Sequence, residues 1–223
     1  MKFQKDKFIT KLLGINSFIS NKVQNISSLK KPFFLTIKKN KKIKEKVLKT
    51  NKIKFKSILV IFYKKIISKS TINNYCRFAN PKDKKQILDI SNEKTSNSRL
   101  AQDKSLSLKF RNNYRKVWVE NFFKGKRGNF LVVAHKKNII MGFLLLIEKK
   151  SELQIDLIVT KKSYQKKGVA ASMINYANNV FLGSKIKEIV AGTQLNNIGA
   201  IKFYKKLDFK KRKIQYVYHL HKK

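Results

Sequence analysis

The chain has 223 residues, 42 % of them hydrophobic, enough for one large domain or a small unit fused to one of roughly 150 residues. Its 53 Lys plus Arg against 12 Asp plus Glu give a net charge of +41, which points to a polyanionic partner: nucleic acid, anionic lipid or a phosphate-rich small molecule. The basic residues are overwhelmingly Lys, alongside abundant Asn, Ile and Phe and scarce Gly and Pro, a pattern that A/T-rich codons also produce. A nucleic-acid binder more often uses Arg, whose planar fork grips phosphate and guanine bidentately, so nucleic acid is not the expected partner. One cysteine, Cys76, allows no internal disulfide. His135, His219 and His221 lack zinc-site spacing, so no metal is expected. The first residues, MKFQKDKFITKLLGINSF, lack a signal-peptide core, and the apolar run Ile58–Tyr63 is too short to cross a bilayer. The default location is the cytoplasm.

In chain order, residues 1–74 read as a small basic unit. Phe33–Ile37 predicts a strand, Asn40–Leu48 a helix capped by Asn40, and Ser57–Tyr63 a second strand. A boundary falls near Lys69–Asn74. Residues 75–223 follow as a second unit, opening with a short strand at Tyr75–Ala79. Asn80-Pro81-Lys82-Asp83 then starts a helix, with Asn as cap, Pro at the first position and Asp near the positive end of the dipole. Glu93–Ser107 reads as loop. Asn112–Phe123 reads as a helix carrying Tyr114, Val117, Trp118 and Phe122, closed by Gly125 and Gly128.

Asn129–Ala134 and Ile139–Ile147 predict a hairpin around His135–Asn138, and Leu153–Thr160 a further strand. Val169–Phe181 predicts a helix burying Ala170, Met173, Ile174 and Ala177. A strand at Glu188–Gly192, a helix holding Ala200, Phe203, Tyr204 and Leu207, and a strand at Lys213–Leu220 complete the order. After residue 75 that order is β, α, α, β, β, β, α, β, α, β: an α/β chain.

Two segments carry chemistry. In Gln165-Lys166-Lys167-Gly168-Val169-Ala170 a strand ends and a helix begins. Free N–H groups and the dipole at that helix start favour an anion, small residues admit a pyrophosphate, and Lys166 and Lys167 add charge. The sequence is neither G-x-x-x-x-G-K-[ST] nor G-x-G-x-x-G. The second segment is Asn197-Ile-Gly-Ala200-Ile-Lys-Phe203-Tyr204-Lys-Lys-Leu207-Asp208-Phe209. Alone, its Tyr204 reads as a core tyrosine.

Together, in this order, the pair resembles the two signature motifs of the GNAT superfamily of N-acetyltransferases: the R/Q-x-x-G-x-G/A pyrophosphate loop and the final N-x-x-A-x-x-F-Y-x-x-L-G-F helix. Asp208 stands where that pattern has Gly, which questions how sharp the turn is. The resemblance implies a mixed, mostly antiparallel central sheet flanked by helices, with residues 1–74 as a small N-terminal αβ half-domain. It implies acetyl-CoA as cosubstrate, cradled by Gln165, Lys166, Lys167, Gly168, Val169 and Ala170. The pantetheine would lie along Leu157, Ile158 and Val159 and be steadied by Asn197. Tyr204 would protonate the departing thiolate, and Asp156 would take the amine proton or merely hold a strand edge. Ser98-Arg99-Leu-Ala-Gln-Asp103 and Tyr114-Arg-Lys-Val-Trp118 resemble the dTDP-fucosamine acetyltransferase group, which acetylates the 4-amine of a nucleotide-linked sugar. On that resemblance Arg99, Tyr114 and Trp118 are acceptor-side candidates, with a core pair as the plainer reading of the two aromatics. A protein or other small amine as acceptor, and a basic nucleic-acid or membrane-surface module without activity, are the competing expectations. A homodimer is left open.

Overall fold

The computed structural model describes residues 3–23, 26–93 and 98–222. They form one mixed, largely antiparallel 10-stranded sheet in the order β1-β2-β3-β10-β4-β9-β8-β7-β6-β5. Helices cover both faces. The expected fold class is therefore the observed one.

Residues 4–20 hold structure beyond the strand-helix-strand expected of residues 1–74: β1 (Gln4–Lys5), α1 (Lys7–Leu13) and β2 (Asn16–Ser20). Asp6 caps α1 by accepting from the Ile9 N–H at 2.9 Å, and Gly14 ends it in the left-handed region. β3 (Phe33–Lys39) follows. The helix expected at Asn40–Leu48 lies later, as α2 (Glu45–Thr50), with Glu45 rather than Asn40 meeting the positive end of its dipole. β4 runs over Lys54–Lys65. β3 and β4 do not pair with each other. β10 (Lys210–Lys222) lies between them, antiparallel to both. Strand pairing thus crosses from residues 1–74 into 75–223 at β3–β10, β4–β10 and β4–β9.

The segment between β4 and β5 (Cys76–Phe78) is strapped along α6 (Val169–Phe181). Asn175, Asn178 and Asn179 of α6 donate to the carbonyls of Thr71, Ser68 and Ser70. The Asn80 start is a capping box on a 3-10 turn, Pro81–Asp83, which leads into α3 (Lys84–Ser91). The stretch expected as loop contains a short helix, α4 (Arg99–Gln102), while residues 94–97 of it lie outside the described residues. α5 spans Leu108–Phe123. β6 (Phe130–Lys136) and β7 (Ile139–Lys149) form the expected hairpin with a tighter turn, at residues 137–138. β8 (Glu152–Thr160), β9 (Glu188–Gln194) and α7 (Ile198–Lys206) complete the chain order.

Two apolar layers sandwich the sheet. On one face Val60, Phe62, Met173, Ile174, Ala177 and Tyr204 pack under α6 and α7. On the other, Val133, Phe143, Leu145 and Val159 pack against α3 and α5, and Phe34 joins Ile9, Leu100, Phe110 and Tyr114 beneath α1, α4 and α5. The alternation of side chains along β3 divides these layers: Phe34 faces α5, while Leu35 and Ile37 face α2.

Candidate active site

The site grows from a gap inside the sheet. β8 and β9 are parallel and pair only from Glu152↔Glu188 to Gln154↔Val190. Past Gln154 they separate, while the other edge of β8 stays on β7 as far as Gly142↔Thr160. The break coincides with a bulge: Leu145 faces Leu157 and Leu146 faces Ile155, so Asp156 is the extra residue that bends β8 away. Leu157, Ile158 and Val159 lie on the open stretch, where backbone groups are available to an extended ligand. Gly142 lets β7 hold this stretch closely, since a Cβ there would stand 2.7 Å from the Val159 carbonyl oxygen.

The loop after β8 turns sharply into α6. Lys166 and Gly168 both take the left-handed conformation, with φ 60° and 75°. Gly168 is the N-cap of α6 and makes no side-chain cap bond, so the first N–H groups of α6 point into the loop uncapped by a side chain. The need for glycine is conformational: a Cβ at Gly168 would meet only the Asn74 amide, at 3.8 Å. Gln165 donates through Nε2 to the Thr160 carbonyl at 3.3 Å, tying the loop to the end of β8. Lys167 Nζ lies 5.7 Å from the Tyr164 ring centre.

A cavity of about 580 Å³ lies here. Gln165, Lys166, Gly168, Val169 and Ala170 form one wall and Ala200 and Phe203 of α7, with Leu207 just after it, the other. The two sequence motifs therefore meet across one cavity. The left-handed residues Lys166 and Gly168, the uncapped N–H groups and the lysines form a concavity whose donors suit a pyrophosphate.

Asn197 is the N-cap of α7: its Oδ1 accepts from the Ala200 N–H at 3.2 Å. Asp208 adopts φ 63°, and the Phe209 N–H reaches the Tyr204 carbonyl at 3.0 Å. The turn forms with Asp in place of Gly. Tyr204 is 4 % exposed, within 6 Å of the Phe62, Phe203 and Phe209 ring centres (5.9, 5.3 and 5.2 Å), and lies beneath the cavity rather than on its wall. Burial pushes its phenol above the usual range, so it holds its proton at neutral pH.

The acceptor-side candidates lie on the other face. Asp156 is engaged by a residue the sequence reading did not single out: Arg127 donates through Nε to Oδ2 at 2.6 Å and through Nη2 to Oδ1 at 2.7 Å. Both carboxylate oxygens accept from one guanidinium, the arrangement of a structural clamp. So engaged, Asp156 ties β8 to the loop after α5. Arg127 lies over two rings, 4.9 Å from the centre of Phe8 and 4.7 Å from that of Trp118. Trp118 stacks on Phe8, and its buried Nε1 has no hydrogen-bond partner among the described residues. Tyr114 is 2 % exposed between Phe110 and Trp118, placed as a core residue rather than on an open wall.

Arg99 meets β10 instead of open solvent. Its Nη1 donates to His219 Nε2 at 2.7 Å, and His219 Nδ1 lies 2.5 Å from Asp103 Oδ2. An arginine always donates, so this contact fixes the imidazole as the Nδ1–H tautomer, donating to Asp103. Lys56 Nζ and Ser105 Oγ donate to Asp103 Oδ1, at 2.6 and 2.8 Å. Burial, followed by the neighbouring Arg99 charge, lowers His219 to about 4, so it is neutral. Burial opposes the charge on Asp103, but the bonds from His219, Lys56 and Ser105 prevail and hold its carboxyl well below the usual range. Lys38 on β3 is lowered to about 8, by burial first and the Arg99 charge second. Asp103, His219 and Lys38 escaped the sequence reading as site residues because their partners lie on other elements.

Among the described residues no group of His, Cys, Asp or Glu is arranged to hold a metal, and no helix is long and apolar enough to cross a membrane. Residues 93–209 match the model of the acetyltransferase (GNAT) family. The chain is 27 % identical over 140 residues to the spore coat polysaccharide biosynthesis protein SpsD of Bacillus subtilis (strain 168), a match covering 63 % of this chain and 48 % of that protein. It thus spans about half the length of this curated relative. Among solved structures, a functionally unknown conserved protein of Staphylococcus epidermidis ATCC 12228 superposes with a TM-score of 0.71 at 12 % identity, over 100 % of this chain and 93 % of the other. A GCN5-related N-acetyltransferase from Kribbella flavida gives 0.58 at 8 % identity, over 92 % and 81 %. With both signature motifs facing one cavity beside a strand gap, and with the family model spanning them, the chain belongs to the GNAT acetyltransferase family.

Proposed function

We propose that this acetyltransferase moves the acetyl group of acetyl-CoA to the primary amine of a nucleotide-linked amino sugar, of the dTDP-4-amino-4,6-dideoxyhexose type, in the cytoplasm. The observation that carries this reading is the separation of β8 from β9 past Gln154, with the pyrophosphate cradle on one face and the paired cations Arg99 and Lys38 on the other. The polysaccharide relative adds support. In this reading residues 75–223 hold acetyl-CoA, and residues 1–74 complete the acceptor side.

Gln165 to Ala170 receive the pyrophosphate, the open backbone of Leu157 to Val159 pairs with the pantetheine, and the Asn197 amide steadies it. The amine nitrogen attacks the thioester carbonyl directly, and no nucleophilic Ser or Cys is used. A C–N bond forms and the C–S bond breaks. Tyr204 gives its proton to the leaving thiolate, and the amine proton leaves to water. Asp156 fixes Arg127 against Trp118, which shapes the acceptor wall, and Arg99, held on His219, adds positive charge behind that side.

The test is thiol release from acetyl-CoA with dTDP-4-amino-4,6-dideoxyhexoses, a UDP-4-amino sugar and basic peptides. Release with one nucleotide sugar alone supports the reading. Release with peptides alone overturns the acceptor class and leaves the family assignment standing.

A further inference from the structure

The middle of the sheet carries an uncovered stretch. β4 and β9 are central strands, yet Leu59 and Ile61 are only half-buried and Gly192 is exposed. Their neighbours Val60, Phe62 and Ala191 are buried under α6 and α7. By alternation the three open residues face the other side of the sheet, the side on which Phe34 meets α1 and α5. A Cβ at Gly192 would make only ordinary contact with Ile61 and Leu59, at 3.4 and 3.6 Å. What the glycine leaves is room above the strand. The result is a trough with an aliphatic floor, which suits the C–H face of a sugar ring.

Strand register places this trough. β8 and β9 part past Gln154↔Val190, and Val190 pairs with Tyr63. Gly192 and its partner Ile61 lie two residues further, about 7 Å along the strands, beside the Asp156 bulge where β8 turns away. On the far side of β4, Ile61 pairs with Lys213 of β10. Directly paired residues of antiparallel strands share a face, so Lys213 rises from the same floor as Ile61 and Gly192. Lys211 pairs with Phe62 and points to the opposite face. From β9 to β10 is two strand spacings, about 10 Å, which one hexose ring and its diphosphate can bridge from an amine at the gap.

The charge along the trough is unbalanced. Arg127 takes Asp156, and Arg212, lying over Tyr63, takes both Glu152 and Glu188. Lys213 is exposed, and its charge reaches Lys38 on β3. Lys38 is lowered to about 8 by burial first and then by the charges of Arg99, Lys149 and Lys213, with Asp6 opposing them. A phosphate ester relieves such crowding, since it brings more than one negative charge and several acceptor oxygens to the ammonium donors.

We infer that the acceptor's sugar lies in this trough over Gly192 and that Lys213, backed by the charges of Lys38 and Arg99, takes its diphosphate. The inference deepens the nucleotide-sugar reading above and rests on it. The test measures binding by calorimetry, without turnover, with thymidine diphosphate and, separately, inorganic pyrophosphate. Saturating CoA is present throughout so that the α6 cradle is filled. Three proteins are compared at about 0.15 M salt: the unaltered chain, Lys213→Glu, and Lys211→Glu as a control with the same change of charge on the opposite face. Both lysines are exposed, so both variants should fold, and circular dichroism checks that they do.

The expected result is one site for thymidine diphosphate, weakened at least roughly tenfold by Lys213→Glu and little changed by Lys211→Glu. Tighter binding of thymidine diphosphate than of pyrophosphate assigns the site to a nucleotide rather than to free phosphate. With a nucleotide sugar that is turned over, Lys213→Glu should raise KM and leave kcat within about twofold. Equal losses in both variants, no loss in Lys213→Glu, no binding to the unaltered chain, a preference for pyrophosphate, or a fall in kcat at unchanged KM would each overturn the inference. The acceptor reading fails separately: thymidine diphosphate binds as expected, yet no nucleotide sugar releases thiol.

Discussion

Replacing Asp103 with alanine should unravel the support of the acceptor side. Asp103 holds Lys56 at 2.6 Å and His219 at 2.5 Å, with side-chain exposures of 0 % for the acid, 17 % for the lysine and 1 % for the histidine. Removing it strands both partners in a dry site, which costs about 3–5 kcal/mol. For a domain of this size each kcal/mol moves Tm by about 2–4 °C, so a loss near 4 kcal/mol should lower Tm by roughly 8–16 °C. His219 supplies a pH signature. Its folded value is about 4 against an ordinary 6.5, so between those values the unfolded chain binds the extra proton and stability climbs as pH rises. Across the window the contribution is about 3 kcal/mol, and above it this group adds no further slope. His219→Gln keeps a donor for Asp103 and an acceptor for Arg99 but cannot titrate. Thermal unfolding by circular dichroism from about pH 4.5 to 8 should show a rising Tm for the unaltered chain and a flatter profile for His219→Gln. An Asp103→Ala protein within about 3 °C of the unaltered one, or equal slopes for the other two, would refute the reasoning.

Tyr204→Phe should lower kcat by about 10² to 10⁴-fold while acetyl-CoA affinity is kept, as read by thiol release and calorimetry; unchanged turnover would remove the phenol from the reaction. Gly142→Ala would place a Cβ 2.7 Å from the Val159 carbonyl oxygen, so β7 or β8 must shift. About 1–3 kcal/mol of stability should be lost and KM for acetyl-CoA should rise; chemical denaturation and steady-state kinetics check the two effects. Arg127→Met leaves the Asp156 side chain, 7 % exposed, without its ion-pair partner and should cost about 3 kcal/mol in urea unfolding. Adding Asp156→Leu should recover part of that loss, and strictly additive costs would show that the clamp is not coupled.

What could be read from the sequence was what local chemistry dictates. Val169–Phe181 shows a 3.6-residue apolar period, and α6 has those bounds. The hairpin of β6 and β7 followed from two apolar runs around a polar turn. The turn and helix start around Gly168 were legible because they are contiguous in sequence. Arg127–Asp156 was not: the partners are 29 residues apart, and nothing in a Gly-flanked loop tells which carboxylate an arginine will meet. The Arg99–His219–Asp103–Lys56 chain joins residues that only the insertion of β10 beside β4 brings together. α1 is a different case. Its Asp6 cap and Gly14 stop are ordinary local signals, obscured by a lysine-rich stretch whose charge drew the attention.

The place of β10 between β3 and β4 bears on how the protein is made. Synthesis runs from the amino end, so β3 and β4 leave the ribosome long before the strand that separates them in the finished sheet. Until then the run Phe33–Ile37 and the centre of β4 are apolar strands with bare edges facing each other across a missing neighbour. Closing that gap joins residues more than 150 positions apart, as in Val217↔Lys38, a slow step because loop closure must precede any gain from pairing. The lysines that crowd these early segments then keep the nascent chain apart from its copies through like-charge repulsion.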